Sequence, residues 1–170
     1  VGALLTSGRR LGDALLEEPE ENPLLAELAR RLHRDRDLEK EIGKTVSKDG
    51  HVEDEASSEL RRIRSALRKE RSRIVRELEK FLDTLPDRVR VSDASVSLRE
   101  GRYVVPVRRE GRSDVGGIVH GESASGATLF IEPQVAVEMM NRVKELESDE
   151  TQEIQRILRE FSRRLRPHRD

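Results

Sequence analysis

Several groups of side chains in this sequence have the residue types for chemistry, and spacing tests each of them. Gly43-Lys44-Thr45 has the ending of a phosphate-binding loop, in which backbone N–H groups and a lysine hold the phosphates. That loop requires a further glycine five positions upstream, where Leu38 stands, and a preceding strand, where the pattern is helical. A helix end with glycine breaking the pattern is the better reading. The four histidines, His33, His51, His120 and His168, show no His-x-x-x-His spacing and have no cysteine beside them, so no metal set is expected. His120, Glu122 and Glu132 flank a glycine loop and could form an acid–base pair. The plainer expectation is that Glu132 caps a helix starting at Pro133 and that His120 closes a strand. Gly121-Glu122-Ser123-Ala124-Ser125-Gly126 could turn backbone N–H groups toward a phosphate. A tight hairpin loop explains it equally well. No catalytic, cofactor-binding or metal-ligating residue is assigned.

Cations are the remaining candidates. From Pro86 to Gly121 there are seven arginines against five acidic residues, a surplus of two, clustered around Arg102 to Arg112. Arg102, Arg108, Arg109 and Arg112 are therefore candidate nucleic-acid contacts. Tyr103 is the only tyrosine, so base stacking has little to work with, and contacts would go to backbone and shape. A second set, Arg61, Arg62, Arg64, Arg68, Lys69, Arg71, Arg73 and Arg76, lies on a helix. It reads as a solvated face laced with ion pairs. The alternative is a stripe that follows phosphates, with Arg68 and Arg71 as secondary contacts.

The elements that position these residues are mostly helical. Residues 1–46 read as part of a helical core. Its first helix carries Leu4, Leu5, Leu11, Leu15 and Leu16, and the acidic stretch from Glu17 to Pro23 ends it. A second helix starts at Asn22 as cap and Pro23 in the first turn, with Leu24, Leu25, Leu28 and Leu32 as its apolar face. A third carries Leu38 and Ile42. Asp49-Gly50 is a turn signal. In residues 47–85 a long helix runs from about Asp54 to Leu82. Ala56, Leu60, Ile63, Leu67, Ile74, Leu78 and Phe81 form its seam, interrupted by Glu70.

The period then changes to two. In residues 86–132, Val89, Val91, Val96, Leu98, Tyr103, Val105 and Val107 alternate with polar residues as half-buried strands do. Pro106 cannot donate to a ladder, so its strand is expected at an edge or a bulge. Gly116-Gly117 and the Gly121–Gly126 stretch separate further strands, Ile118-Val119 and Thr128–Ile131. Residues 133–170 form the returning helix, with a seam of Val135, Met139, Val143, Leu146, Ile154, Ile157, Phe161 and Leu165. The fold class is mainly α with a small β module (α+β): a helical core, then an antiparallel helical arm of roughly 40 Å with the β module at its tip.

Composition fits this plan. Of 170 residues, 39% are charged and 2% aromatic, which suits long solvated helices more than a thick core. The net charge of -1 means any basic surface is local. The lack of cysteine fits a reducing compartment, and a cytoplasmic location is expected. No apolar run is long enough for a membrane span. The chain opens on Val1 and is expected to be a piece of something longer.

Two long motifs in order carry a family resemblance. Gly101-Arg102-Tyr103-Val104-Val105-Pro106-Val107, Gly117-Ile118-Val119-His120 and Ser123–Pro133 resemble bacterial MutS-like proteins of the second type. Asp49-Gly50-His51-Val52-Glu53-Asp54-Glu55-Ala56-Ser57, with Leu60 and Ile63-Arg64, is similar to a second motif of that family, as are Asn141 and Ile157-Leu158. The resemblance begins at about Leu38; before that only helical character is shared. It implies a core, lever helices and a β-rich clamp. It also implies a parent protein whose ATPase domain, lying outside this chain, takes ATP and Mg and closes a homodimer, and whose C-terminal Smr domain is a nuclease. The family is associated with binding branched DNA, suppressing recombination and splitting collided ribosomes. The implied partners are thus DNA or ribosomal RNA, with no cofactor in this stretch. The alternative is a structural dimerisation module whose seams pair between chains.

Overall fold

The computed structural model describes residues 2–17, 19–32 and 34–166, so His33 and His168 lie outside the described residues. The architecture is α+β, as the periodicities require. Among the described residues it has five α-helices, α1 (Gly2–Leu15), α2 (Pro23–Arg31), α3 (Arg36–Thr45), α4 (Ser58–Thr84) and α5 (Gln134–Leu165). Among the same residues four strands, β1 (Ser97–Arg99), β2 (Arg102–Arg108), β3 (Gly117–Glu122) and β4 (Thr128–Pro133), form one antiparallel sheet in the order β1-β2-β4-β3. The chain divides into two compact units, residues 1–61 with 152–170, and residues 62–151.

In the first unit the core is Leu38, Ile42, Val52, Leu60, Ile157 and Phe161. Asp35 caps α3, its carboxylate accepting from the Leu38 N–H at 2.8 Å. Gly43-Lys44-Thr45 is the last turn of that helix. Val46 and Val52 then form an antiparallel bridge around Gly50, whose φ of 84° is the left-handed geometry a tight turn requires. A 3₁₀ turn (Asp54–Ala56) leads into α4, so the α-helix itself begins four residues later than the seam suggests. Ser57 caps it: Oγ accepts from Leu60 N–H at 2.9 Å and donates to Glu153 Oε1 at 2.7 Å. Hydrogen bonding from Arg156 chiefly, against partial burial and with help from Ser57, holds the Glu153 carboxyl below its ordinary range.

The leucine faces of the first two helices depart from expectation. On α2, Asn22 occupies the cap position without a side-chain bond and Pro23 starts the helix. Its buried residues are Ala26 and Ala29, while Leu24 is 76% exposed and Leu28 56%. Leu4 and Leu11 on α1 are likewise exposed. Leu5 still packs against the core of this unit, and polar contacts add to the attachment of α1. Thr6 Oγ1 and Arg9 Nε each donate to Glu39 at 2.8 Å, and Arg9 also reaches Asp13. Arg9 foremost, with Thr6, pulls the Glu39 carboxyl down to about 2. Gly12 of α1 is buried on the Ala29 side of α2, where an added Cβ would lie 3.7 Å from the Ala29 carbonyl oxygen, so α1 covers the small residues and not Leu24 or Leu28.

In the second unit α4 and α5 run antiparallel. Ile63, Leu67, Ile74, Leu78 and Leu82 of α4 meet Ala136, Met140, Val143 and Leu146 of α5 in one core with Val89, Val105, Val107, Val115, Leu129 and Ile131. The α5 stripe starts one residue later than its pattern suggests: Ala136 and Met140 are buried, Met139 is half-buried and Val135 exposed. On α4, Leu82 is buried where Phe81 is only half-buried. The seams are thus consumed within the chain, with Leu67 3% and Leu78 0% exposed, and do not present themselves for pairing between chains.

Glu100 and Gly101, with φ of 49° and 74°, make a two-residue β1–β2 turn in which both centres are left-handed, the geometry that matches strand twist. Pro106 lies in an interior strand, not at an edge. Arg109 N–H donates to Ala127 on the β4 side and Arg108 N–H to Val89 on the other. Alternation puts the Pro106 nitrogen on the Val89 side, beyond the end of β1, where no ladder bond is lost. Val91 and Val96 lie outside named strands.

Candidate nucleic-acid interface

The β module fixes its arginines differently from one another. Arg102 starts β2, and its Nη1 donates to Glu132 Oε1 at 3.1 Å and to Asn141 Oδ1 at 3.3 Å. Glu132 is fully buried, and its second oxygen lies 2.8 Å from His120 Nε2. It therefore does not cap α5; it ties β2, β3, β4 and the first turns of α5 together. The ladder dictates this position, since Ile118 pairs with Glu132 and brings His120 close to the carboxylate. A carboxylate this deep is tolerated because charged and ring N–H donors occupy it. Sequence reasoning set His120 beside Glu132 as one alternative and missed the tie to Arg102 and Asn141. Its signal was an acid in an otherwise buried run, Ile131-Glu132-Pro133, opposite a histidine-bearing strand.

Arg112 is also structural. Its Nη1 donates to the Val115 carbonyl at 2.7 Å and its Nη2 to the Gly117 carbonyl at 3.1 Å, which shapes the entry to β3. Gly117 permits that entry, since a Cβ there would lie 2.1 Å from the Glu132 carbonyl oxygen and φ is 138°.

Arg108 and Arg109 end β2 and are exposed. Arg108 Nε donates to the Arg90 carbonyl at 2.9 Å. Arg109 reaches over the β3–β4 turn, donating to the Gly126 carbonyl and to Glu122. The glycine–serine stretch itself closes a hairpin. Ser123 N–H donates to Thr128 at 2.9 Å, Gly126 N–H to Ser123 at 2.8 Å, and Thr128 N–H to Ser123 Oγ at 3.1 Å. These bonds turn N–H groups inward, against a phosphate cradle. Arg99 stacks on Phe130, its guanidinium carbon 3.6 Å from the ring centre.

On α4, Arg71 Nη2 donates to Glu147 Oε1 on α5 at 2.9 Å, and Arg64 Nε to Glu150 Oε1 at 2.7 Å. Lys144 first, against some desolvation, and then Arg71 lower the Glu147 carboxyl below its usual range. Arg68 is exposed and engaged by a neighbour. Among the described residues no group of three or more His, Cys, Asp or Glu is placed to hold a metal. Among the same residues no helix is long and apolar enough to cross a membrane.

No protein-family model matches the chain. Curated relatives do. Endonuclease MutS2 of Gemmatimonas aurantiaca is 43% identical over 170 residues, which is 98% of this chain and 21% of that protein. This chain is MutS2-like over nearly its whole length. The namesakes from Geobacillus thermodenitrificans and Halalkalibacterium halodurans are 42% and 41% identical over 99% and 100% of the chain. The chain spans about one fifth of the length of these relatives, 21% to 22%. Both MutS2-like motifs thus have structural duties here. Asp49–Ser57 forms the turn and cap that launch α4, and Gly101–Val107 with Gly117–Pro133 forms the sheet around Glu132.

Proposed function

We propose that this chain is a non-catalytic, nucleic-acid-engaging portion of a dimeric MutS-like ATPase and endonuclease that works in the cytoplasm. Its targets are branched DNA, as met in recombination and repair, or ribosomal RNA on stalled ribosomes. ATP and Mg belong to an ATPase domain elsewhere in the parent protein. The observation carrying this reading is the exposed pair Arg108 and Arg109 at the end of β2, beside the β3–β4 hairpin, in a MutS2-like chain. Arg102 and Arg112 serve the module's own fold and support the surface from within. Arg68 and Arg71 on α4 are secondary contacts. Arg108→Ala with Arg109→Ala, measured against wild type on four-way-junction DNA and an rRNA helix across a salt series, tests it. Weaker binding with a shallower salt slope is expected. Equal affinity and slope would remove the pair from the contact surface.

A second reading, an association module, is favoured by the exposed leucines of α1 and α2, Leu4, Leu11, Leu24 and Leu28. Light scattering of wild type and Leu24→Asp separates the two. A monomeric wild type argues against it.

A further inference from the structure

We infer that the outward face of α4 is a second nucleic-acid surface, a track for a phosphodiester backbone that is read without regard to base sequence. The inference rests on the nucleic-acid reading above and adds a site to it.

Between Arg62 and Arg76, α4 carries seven basic residues and one acidic residue, Glu70, a formal surplus of six. Within and just beyond that segment, Lys69, Arg73, Arg76 and Lys80 recur at intervals of four, three and four, so at about 100° per residue they form a single row. The buried stripe of Ile63, Leu67, Ile74 and Leu78 lies about 140° around the same helix, so the row faces solvent. All four side chains are exposed. Their internal ties are weak. Arg73 stands 3.9 Å from Glu70 and Lys80 3.0 Å from Glu77, both pairs between residues three apart on a solvated face. Lys69 and Arg76 form no ion pair among the described residues. The cations nearer α5 differ, since Arg64 and Arg71 already pair with Glu150 and Glu147.

Successive cations in the row are separated by ~5 Å of helix rise. Each strand of a duplex presents about one phosphate per 3.4 Å of axis, closer than the spacing of the cations, so the long side chains can each reach a phosphate of one backbone. Ser65, Ala66 and Ser72 lie beside the row and are short, which lets a backbone strand approach while the long side chains reach around it. The two hydroxyls can donate to phosphate oxygens. The row itself carries no Asn, Gln or aromatic side chain, so it has no group for bidentate contact to adenine or for ring stacking on bases, and its cations at one-turn spacing suit the backbone.

The test uses the 170-residue chain, a labelled linear DNA duplex and the RNA duplex of the same sequence, followed by anisotropy across a salt series. The variant is Lys69→Gln/Arg73→Gln/Arg76→Gln, with helicity checked by circular dichroism. Loss of three phosphate contacts is expected to lower the log–log salt slope on DNA by about 2.7. A fourfold rise in salt then costs the variant about 40-fold less affinity than it costs wild type. Weakening on both duplexes identifies the shared backbone as ligand, and weakening on one identifies the source. If Arg108→Ala/Arg109→Ala lowers binding and the triple variant leaves affinity and slope unchanged, the α4 track is overturned while the β-module reading stands. If wild type binds neither duplex at low salt, both are overturned.

Discussion

Replacing the buried Glu132 should unlock the β module in a graded way. The carboxylate has no exposed surface and receives Arg102 at 3.1 Å and His120 at 2.8 Å. Glu132→Leu deletes both acceptors and leaves two donors facing an apolar wall. Removing one side of a buried ionic contact costs about 3–5 kcal/mol. Arg102 keeps 26% of its side chain exposed and can recover water, which places the expected loss near the lower end, about 3 kcal/mol. Glu132→Gln keeps the shape and one carbonyl acceptor. It should cost about 1–2 kcal/mol, since a neutral acceptor gives up roughly half of a charge-assisted bond. Pairing Glu132→Leu with Arg102→Leu should recover part of the loss, with a coupling of about 1–3 kcal/mol. The chain has one tyrosine and no tryptophan, and Tyr103 packs against the core of this unit. Urea unfolding followed by tyrosine fluorescence therefore reports this module alone. If Glu132→Leu and Glu132→Gln both unfold within about 0.5 kcal/mol of wild type, the carboxylate does not hold the sheet to α5 and the reasoning fails.

Two further outcomes follow from geometry. Gly117→Ala should destabilise the same unit by ~2–3 kcal/mol in the tyrosine assay, because the new Cβ must displace the Glu132 carbonyl at 2.1 Å and adopt a φ of 138°; a wild-type midpoint would mean the β3 entry relaxes freely. The first unit should weaken in acid: Glu39 is held at about 2, against an ordinary value of 4.5, so its native contact is fully present above about pH 4.5 and is lost as pH falls toward 2. Urea midpoints by circular dichroism should fall over that window and fall less in Glu39→Gln; an identical acid dependence in the variant would refute the role of the Arg9–Glu39 contact.

The long seams were legible because burial on one side of a helix leaves a periodic trace. Ile63, Leu67, Ile74 and Leu78 are buried as their spacing requires. The glycine turns were legible for a related reason, since few other residues take the backbone angles of Gly50 or Gly101. The first helices were not. Leucine spacing on α2 announces an apolar face but cannot say that Ala26 and Ala29, on another side, are the ones a neighbour covers. At the start of α5 the one-residue offset is set by where β4 delivers the chain, a tertiary constraint with no local signature. The β-module arginines looked alike in sequence. Only the folded module separates Arg102 and Arg112, half-buried on internal acceptors, from Arg108 and Arg109, which stay exposed although each also donates to the module.

The division of the chain has a consequence for the order of assembly. The first unit joins residues before Arg61 to residues after Gln152, so its core needs Leu60 beside Ile157 across an intervening stretch of about ninety residues. Closing a flexible loop of that length costs ~4 kcal/mol in chain entropy before any contact rewards it. The second unit is continuous in sequence, and once folded it holds Arg64 against Glu150 at 2.7 Å, so the two ends of the loop are already neighbours. Formed first, it converts a slow, non-local search into a short one. A lesion at Glu132 or Gly117 would then reach the first unit through folding rate, although neither residue touches its core.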